Sequence, residues 1–512
     1  MLVAVRPSNN TSTDRFRAGV AALAVLAVFG AATAARSAPA RASSAHTGAT
    51  VVGVGRATVG QAIPSGFLGL STEIPAIESY AGADPEAIDP VFEQLIRNLA
   101  PGQNPVLRIG GDSTDWTWYP VPGMRRPPWV RYTLTAGWMQ VTRALVQAIN
   151  GRLILGTNLE ADSSEVAAAE ANAMIDGIGR GSIEALEIGN EPELYSGFAW
   201  YHTAAGRAVP GRPAGYDFSD FTHDFSHIAR ALPQIPLAGP AIGSPAWTPQ
   251  LGQFLAAEPR VGLVTLHSYP LERCGTSTHP TVAQLLSETS SLGLADGLAR
   301  YVALAHAHGR ELRIDEMNSV ACGGEAGVSN TFASSLWSLD ALFAMASVGV
   351  DGVNIHTSPV SSSHLFSFRE VNGEWEGQVS PDYYGLLMFA QAAPDGSRLL
   401  RISGPIHGAL RAWATRAPNG QIHVVLINTS TARAGLVAVK IPATAASATL
   451  ERLSALSVTA TTGVTIGGQS FGAETDTGVL AGTPQTTEVT PAAGEYSVEL
   501  PPASAAMLTL PG

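Results

Sequence analysis

The chain has 512 residues, 45% hydrophobic and only 14% charged, with 42 acidic against 30 basic side chains and a formal charge of −12. That length exceeds one ordinary core and predicts a large domain of roughly 250–350 residues plus a smaller one. The composition excludes a disordered chain, and the acidic balance disfavours nucleic acid, anionic membrane and highly sulfated polysaccharide as partners.

The N-terminal segment reads as an export signal. Arg15 and Arg17 precede the apolar run from Ala18 to Ala35, and small-residue cleavage patterns follow at Ala32 to Ala34 and Ala38 to Ala40. Residues 1–40 are therefore assigned to a signal peptide and 41–49 to a low-complexity linker. The product is expected to be secreted, with no membrane contact once the signal is cut; an uncleaved N-terminal anchor is the alternative. Residues 50–66 are β-rich and are expected to join a later β domain.

From residue 67, strand-like apolar runs alternate with helical segments. The runs are FLGLSTE (67–73), VLRIGGD (106–112), RLILGTNLE (152–160), IEALEIGNE (183–191), PLAGPAIG (236–243), LVTLHSYP (263–270), ELRIDEMN (311–318) and GVNIHT (352–357). Between the first two, Val91, Phe92, Leu95, Ile96 and Leu99 recur at helical spacing. A later helix opens with Asp162 and Glu165 spaced as a capping box, and another carries Phe332, Leu336, Leu339 and Phe343 on one face. Eight strands alternating with helices predict an α/β fold, a (β/α)8 TIM barrel over 67–394. A doubly wound open sheet competes, but no glycine-rich phosphate loop opens the first helix.

Beyond residue 395 the texture changes to short alternating strands and turns. LRAWATRAPNGQIHVVLIN reads as a hairpin with Asn419-Gly420 at its turn, and two more short strands close the chain. Residues 395–512 are assigned to a C-terminal β-sandwich.

In such a barrel the C-terminal strand ends converge on one mouth. Polar residues collect there: Glu73, Asp112, Ser113, Asp115, Asn190, Glu191, His267, Tyr269, Glu316, Asn318 and His356. Two carboxylates on facing strands suit glycoside hydrolysis, in which one carboxyl protonates the leaving group and the other attacks the anomeric carbon. Glu191 and Glu316 are the candidate pair, with Asn190 placed to bind the sugar 2-hydroxyl. Asn-Glu-Pro also occurs at ordinary turns, so its weight comes from the second glutamate on strand seven. Asp112 and Asp115 read equally as substrate ligands or as caps of the next turn. Trp116 and Trp118 read as sugar platforms or as packing groups, and the basic stretch 124–131 as cationic help or a solvated loop. His267 and His356 lack a third clustered ligand, so no metal site and no cofactor is expected. Cys274 and Cys322, the only cysteines, form a disulfide or remain two free thiols.

LRIGGDSTDWTW, LEIGNEPELY, HSYPLERCG, IDEMNSVACGGEAGVSNTFASSLWSLD and GVNIHT, in that order, resemble glycoside hydrolase family 79, the β-glucuronidase and heparanase-like family of clan A. The resemblance runs from about residue 67 to the C-terminus. It implies a retaining mechanism with Glu191 as acid/base and Glu316 as nucleophile, and Asn190 at the 2-hydroxyl. Glu73 would hold far hydroxyls of the terminal sugar, Tyr269 would orient the nucleophile, and His356 would line the substrate pocket. Cys274 and Cys322 would bridge the loops after strands six and seven. The backbone of Gly323 would help to hold a uronate carboxylate. The chain departs from the family at Ala321 and in SPVSSSHLF (358–366), where no tyrosine is supplied. The expected activity is an exported retaining exo-β-glycosidase, foremost a β-glucuronidase, acting on a carbohydrate or glycoside. The alternatives are a β-glucosidase-type enzyme on the same scaffold and a non-catalytic carbohydrate-binding protein.

Overall fold

Eight parallel strands close a barrel in chain order: β1 (Leu68–Glu73), β2 (Val106–Gly110), β3 (Arg152–Thr157), β4 (Ile183–Ile188), β5 (Leu237–Ile242), β6 (Val261–Ser268), β7 (Glu311–Met317) and β8 (Gly352–Thr357), with β8 pairing back onto β1. The structure, a computed structural model, describes residues 48–512 apart from 276, 278, 405–407, 443 and 444. The export signal and most of the linker read from the sequence lie outside the described residues.

Strand alternation sorts side chains into layers, because successive residues face opposite sides. On β3, Leu153 and Leu155 join the large core under the helices, whereas Ile154 joins Val106, Ala185, Ala238 and Leu263 in a small separate cluster contributed by β2 to β6. Two residues further along the same faces stand Arg108 on β2 and Glu187 on β4, both fully buried. The barrel interior thus runs from an apolar floor to a charged layer, and the mouth lies above it.

On β7 the pairing with both neighbours is interrupted: the register shifts between Leu266 and His267 against β6, and between Ile314 and Met317 against β8. Such an irregularity re-aims a side chain. It lets Asp315 and Glu316, neighbours in sequence, both reach Arg108.

The helix Pro90–Leu99 forms as its spacing predicts. Asp89 caps it by accepting from Val91 N and Phe92 N, and Val91, Phe92, Leu95, Ile96 and Leu99 are buried. The capping box at Asp162 does not form. Asp162 has φ 50°, and Ser163 is the N-cap of helix Ser164–Ile178, accepting from Val166 N. Helix Phe332–Ser347 is buried almost all round, as is Pro381–Ala392 beside it. The two pack so closely that a Cβ on Gly385 would lie 2.1 Å from the Ser335 carbonyl oxygen.

The second layer explains that double burial. A ten-stranded, mostly antiparallel sheet is built from the C-terminal strands plus Thr50–Ala62, which pairs antiparallel with Arg398–Ser403 and parallel with Gly435–Lys440. Along Ile422–Asn428, Val424 and Leu426 face the sheet's own core with Val52, Leu450 and Tyr496, while Val425 and Ile427 belong to the core shared with the barrel. The sheet therefore encloses one core and presses its other face on the barrel helices, where Trp413 donates to Asp340 at 2.8 Å. The predicted hairpin forms between Leu410–Arg416 and Ile422–Asn428, with Gly420 at φ 89° in its turn.

Candidate active site

Arg108 is the hub. Its Nε donates to Glu187 at 2.7 Å, Nη1 to Glu316 Oε2 at 2.7 Å and Nη2 to Asn190 Oδ1 at 2.8 Å. One guanidinium, fully buried, thus aligns the tips of β4 and β7 from below. Glu187 and Asp315 lie beside each other beneath it. Burial pushes both carboxyls up. At Glu187 the charge of Arg108 outweighs it and pulls the group below its ordinary value, whereas Asp315, facing Glu187, is pushed well above the carboxylate range and keeps the proton.

Strand β4 stops at Ile188, three residues earlier than the apolar run suggests. Gly189 and Glu191 then adopt positive φ, 77° and 45°, on either side of Asn190. This turn is held by Asp115, whose Oδ2 accepts from Asn190 N at 3.0 Å and the Tyr195 hydroxyl at 2.6 Å, while Oδ1 accepts from Leu159 N and Glu160 N. Glu191 N donates to Ala241 O of β5 at 2.9 Å.

The two candidate carboxylates meet. One oxygen each from Glu191 and Glu316, with a nitrogen of His267, all lie within 4.8 Å of one another. His267 Nδ1 is 2.9 Å from Glu191 Oε1, and the Tyr269 hydroxyl donates to Glu316 Oε1 at 2.8 Å. Burial would push Glu316 up, but His356, His267, Arg108 and the Tyr269 hydroxyl together hold it well below the usual carboxylate range. Burial would likewise lower the His267 imidazole. Its carboxylate neighbours, Glu316 foremost, hold it up at about 10. The triad would suit a cation by distance alone, but Arg108 on Glu316 and a protonated His267 both oppose one.

The other expected pocket residues line the same mouth. His356 Nδ1 is 3.0 Å from Ser71 Oγ and 3.7 Å from Glu316 Oε2, and its Nε2 is 3.8 Å from Glu73 Oε1. Glu73 Oε2 accepts from Ser113 N at 2.8 Å, and its carboxyl packs on Gly111, where a Cβ would come within 2.4 Å of it. Asp112 is reachable by solvent yet recessed. Loss of surrounding water first, then the charges of Glu73, Glu191 and Glu316, push it well above the carboxylate range. Asn190 Nδ2 donates to it at 3.3 Å.

Cys274 and Cys322 are bonded, with Cα atoms 5.1 Å apart. They tie the loop after β6 to the loop after β7, alongside the Arg273–Glu325 ion pair at 2.6 Å. Cys322, Gly323 and Gly324 all have positive φ, and among the described residues no acceptor meets the Gly323 N–H. The Gly323 carbonyl accepts from Ser362 N and Ser361 Oγ, so the loop after β8 brings serine hydroxyls to that spot.

Some readings change. Trp118 is a packing group: 3% exposed, it clusters with Trp129, Val130 and Val166 and donates to Thr133. In the basic stretch the exposed Arg131 stacks 4.1 Å over the Trp116 ring and donates to Trp200 O. Asp115 caps rather than binds substrate. Sequence reasoning missed Arg108, Glu187 and Asp315, although each stands as a lone charge or one of a charged pair inside a strand buried on both faces.

A parallel barrel with two glutamates facing each other across its mouth suits a glycoside hydrolase. Residues 412–507 match the glycosyl hydrolase family 79 C-terminal beta domain. The chain is similar to a β-glucuronidase of Neurospora crassa, 22% identical over 395 residues that cover 68% of each protein. Among solved structures it is similar to a 4-O-α-L-rhamnosyl-β-D-glucuronidase of Fusarium oxysporum 12S, with TM-score 0.72, 20% identity and coverage of 90% of this chain and 100% of that one. The arabinofuranosidase of glycoside hydrolase family 51 from Xanthomonas axonopodis pv. citri shares the fold more distantly, at TM-score 0.60 and 15% identity over 90% of this chain and 100% of that one. These matches support a glycoside hydrolase acting on a carbohydrate, similar to members of glycoside hydrolase family 79. Among the described residues no helix is long and apolar enough to cross a membrane.

Proposed function

We propose that the chain is an exported, retaining exo-β-glycosidase that releases terminal β-D-glucuronosyl groups by double displacement. The observation that carries this is the 4.8 Å limit on the distance between one oxygen of Glu191 and one of Glu316. It suits a retaining pair, whose carboxyl groups lie about 5–5.5 Å apart, better than an inverting pair at about 6.5–9.5 Å.

In the first step a Glu316 oxygen attacks C1 while the bond from C1 to the leaving oxygen breaks, and that oxygen takes a proton from Glu191. In the second, water attacks C1 and gives its proton to Glu191, and the bond to Glu316 breaks. Glu316 is suited to attack because its surroundings keep it ionised. With Oδ1 of Asn190 taken by Arg108 and one amide hydrogen directed at Asp112, its other amide hydrogen is left for the sugar 2-hydroxyl. Tyr269 orients Glu316, and Glu73, Asp112 and His356 take the remaining hydroxyls. The free N–H of Gly323, with the neighbouring serine hydroxyls, suits a uronate carboxylate, and the disulfide braces that loop. Export follows from the basic and apolar pattern of residues 15–35.

The glucoside alternative draws on one observation: the loops after β7 and β8 contain no tyrosine between Asn318 and Phe366. Paired chromogenic β-glucuronide and β-glucoside substrates separate the two readings. The glucuronide is expected to be hydrolysed with kcat/KM about 100-fold higher, a difference that a site built to hold a polar group supplies. A preference for the glucoside would overturn the uronate assignment and leave the hydrolase intact. Sugar binding without turnover of either substrate would make the protein a lectin-like binder.

A further inference from the structure

We propose that the Cys274–Cys322 disulfide is a specificity determinant: it aims the peptide that presents the Gly323 N–H, so that opening the bond lowers the preference for a glucuronide and leaves hydrolysis itself in place. The inference rests on the reading that this N–H meets the uronate carboxylate.

The loops after β6 and β7 are held together without the sulfurs. Leu271–Glu272 and Val320–Ala321 pair as a short parallel ribbon, Arg273 N donates to Ala321 O at 3.3 Å, and the Arg273 side chain pairs with Glu325. These ties stop at Ala321 and resume at Glu325, with Cys322, Gly323 and Gly324 between. All three have left-handed backbone, at φ 61°, 87° and 77°. Glycine takes that conformation freely, whereas a residue with a Cβ is disfavoured there. Cys322 is therefore the member of the three that must be held, and its side chain is the one bonded to Cys274.

The Gly323 N–H belongs to the planar peptide that begins at Cys322, so the conformation of Cys322 aims it. The far side of Gly323 is fixed separately. Its carbonyl accepts from Ser362 N at 2.8 Å and Ser361 Oγ at 3.1 Å, and Gly324 N donates to Val320 O at 3.2 Å. A Cβ on Gly323 would meet nothing within 4 Å, which leaves this stretch of backbone open to a ligand. Both cysteines are exposed, within reach of a small thiol. A dithiol opens the bond by closing into its own disulfide: two electrons pass to the cystine, and each released sulfur takes a proton. Cys322 can then leave the left-handed region, and the N–H turns from the carboxylate. Glu316 precedes the ribbon and is held by Arg108 and Tyr269, so the reacting groups stay in place.

The test compares kcat/KM on paired nitrophenyl β-glucuronide and β-glucoside for the oxidised enzyme and for the enzyme reduced with dithiothreitol, assayed at one temperature. Reduction is expected to lower the glucuronide value about tenfold, chiefly through KM, as for one lost hydrogen bond to a charged group. The glucoside value should change less than about twofold. C274A/C322A should behave as the reduced enzyme. C274A/C322G should return to within about threefold of the parent, since glycine reaches the same φ without a tether. Equal losses on both substrates, or no change on either, overturn the proposal. So does a C322G variant no better than C322A, which is what a plain loop fastener predicts. A reduced protein that melts below the assay temperature also overturns it, since the bond would then hold the fold and not the selectivity. The oxidised parent separates the two readings. If it does not prefer the glucuronide, the uronate reading fails; if it does and reduction leaves the ratio unchanged, the error lies with the disulfide alone.

Discussion

Glu316→Gln should lower kcat/KM by about 10⁴-fold or more while leaving the fold intact, because it removes the carboxylate proposed to attack C1. The amide has the same shape and still offers one oxygen to either Arg108 or Tyr269. Its NH2 group must then face the other of these two donors, at a cost of about 1–3 kcal/mol for a mismatched buried contact. Activity and stability therefore separate: a large loss of turnover with a small loss of Tm. Steady-state kinetics beside a thermal melt reads both. An E316Q protein that hydrolyses within tenfold of the parent would show that the nucleophile lies elsewhere.

Arg108→Met should instead damage both together. Methionine approximates the stem of arginine but leaves Glu187, Glu316 and Asn190 without their shared donor in a fully buried layer. Breaking a buried ion pair by removing one partner costs about 3–5 kcal/mol, most of it from the charge left behind. The activity loss should be about 10²–10³-fold, as for other lost preorganised charges. A pH signature follows as well. Glu316 acts ionised, and its folded-state pKa is depressed, so both the activity and the stability it contributes are present above its unfolded value of about 4.3 and vanish only as pH falls through the lower folded value. Arg108 is among the groups that depress it, so R108M should move the acid limb of kcat/KM upward, toward the ordinary carboxylate range. Urea denaturation and the pH profile of the same preparation check the two effects. A variant as stable as the parent, with an unmoved acid limb, would contradict the role of Arg108 as hub.

Much of this was legible in the sequence because parallel barrel strands are buried on both faces and announce themselves as short apolar runs, while their tips carry the chemistry. Glu73, Asp112, Asn190, Glu191, Tyr269, Glu316 and His356 could be named that way and come together around one mouth. Less visible was what lies one layer down. In LRIGG, LEIGN and RIDEM the charged residues Arg108, Glu187 and Asp315 interrupt apolar strands, yet a one-dimensional pattern does not show that they face each other. The bulge on β7 that turns Asp315 and Glu316 to the same side is a matter of register between strands, which only pairing reveals. Ser163 in place of Asp162 as the cap is similar: two adjacent residues both suit the role, and the positive φ of Asp162 decides.

The most direct measurement is a mass map of the adduct formed with a 2-deoxy-2-fluoro glycosyl fluoride of the preferred sugar, read together with the anomer first released from an ordinary substrate. The account predicts one fluorosugar on the peptide carrying Glu316, and a β-configured first product. A label on any other residue, or no label together with an α-configured first product, would contradict the claim that Glu191 and Glu316 act across a single anomeric carbon.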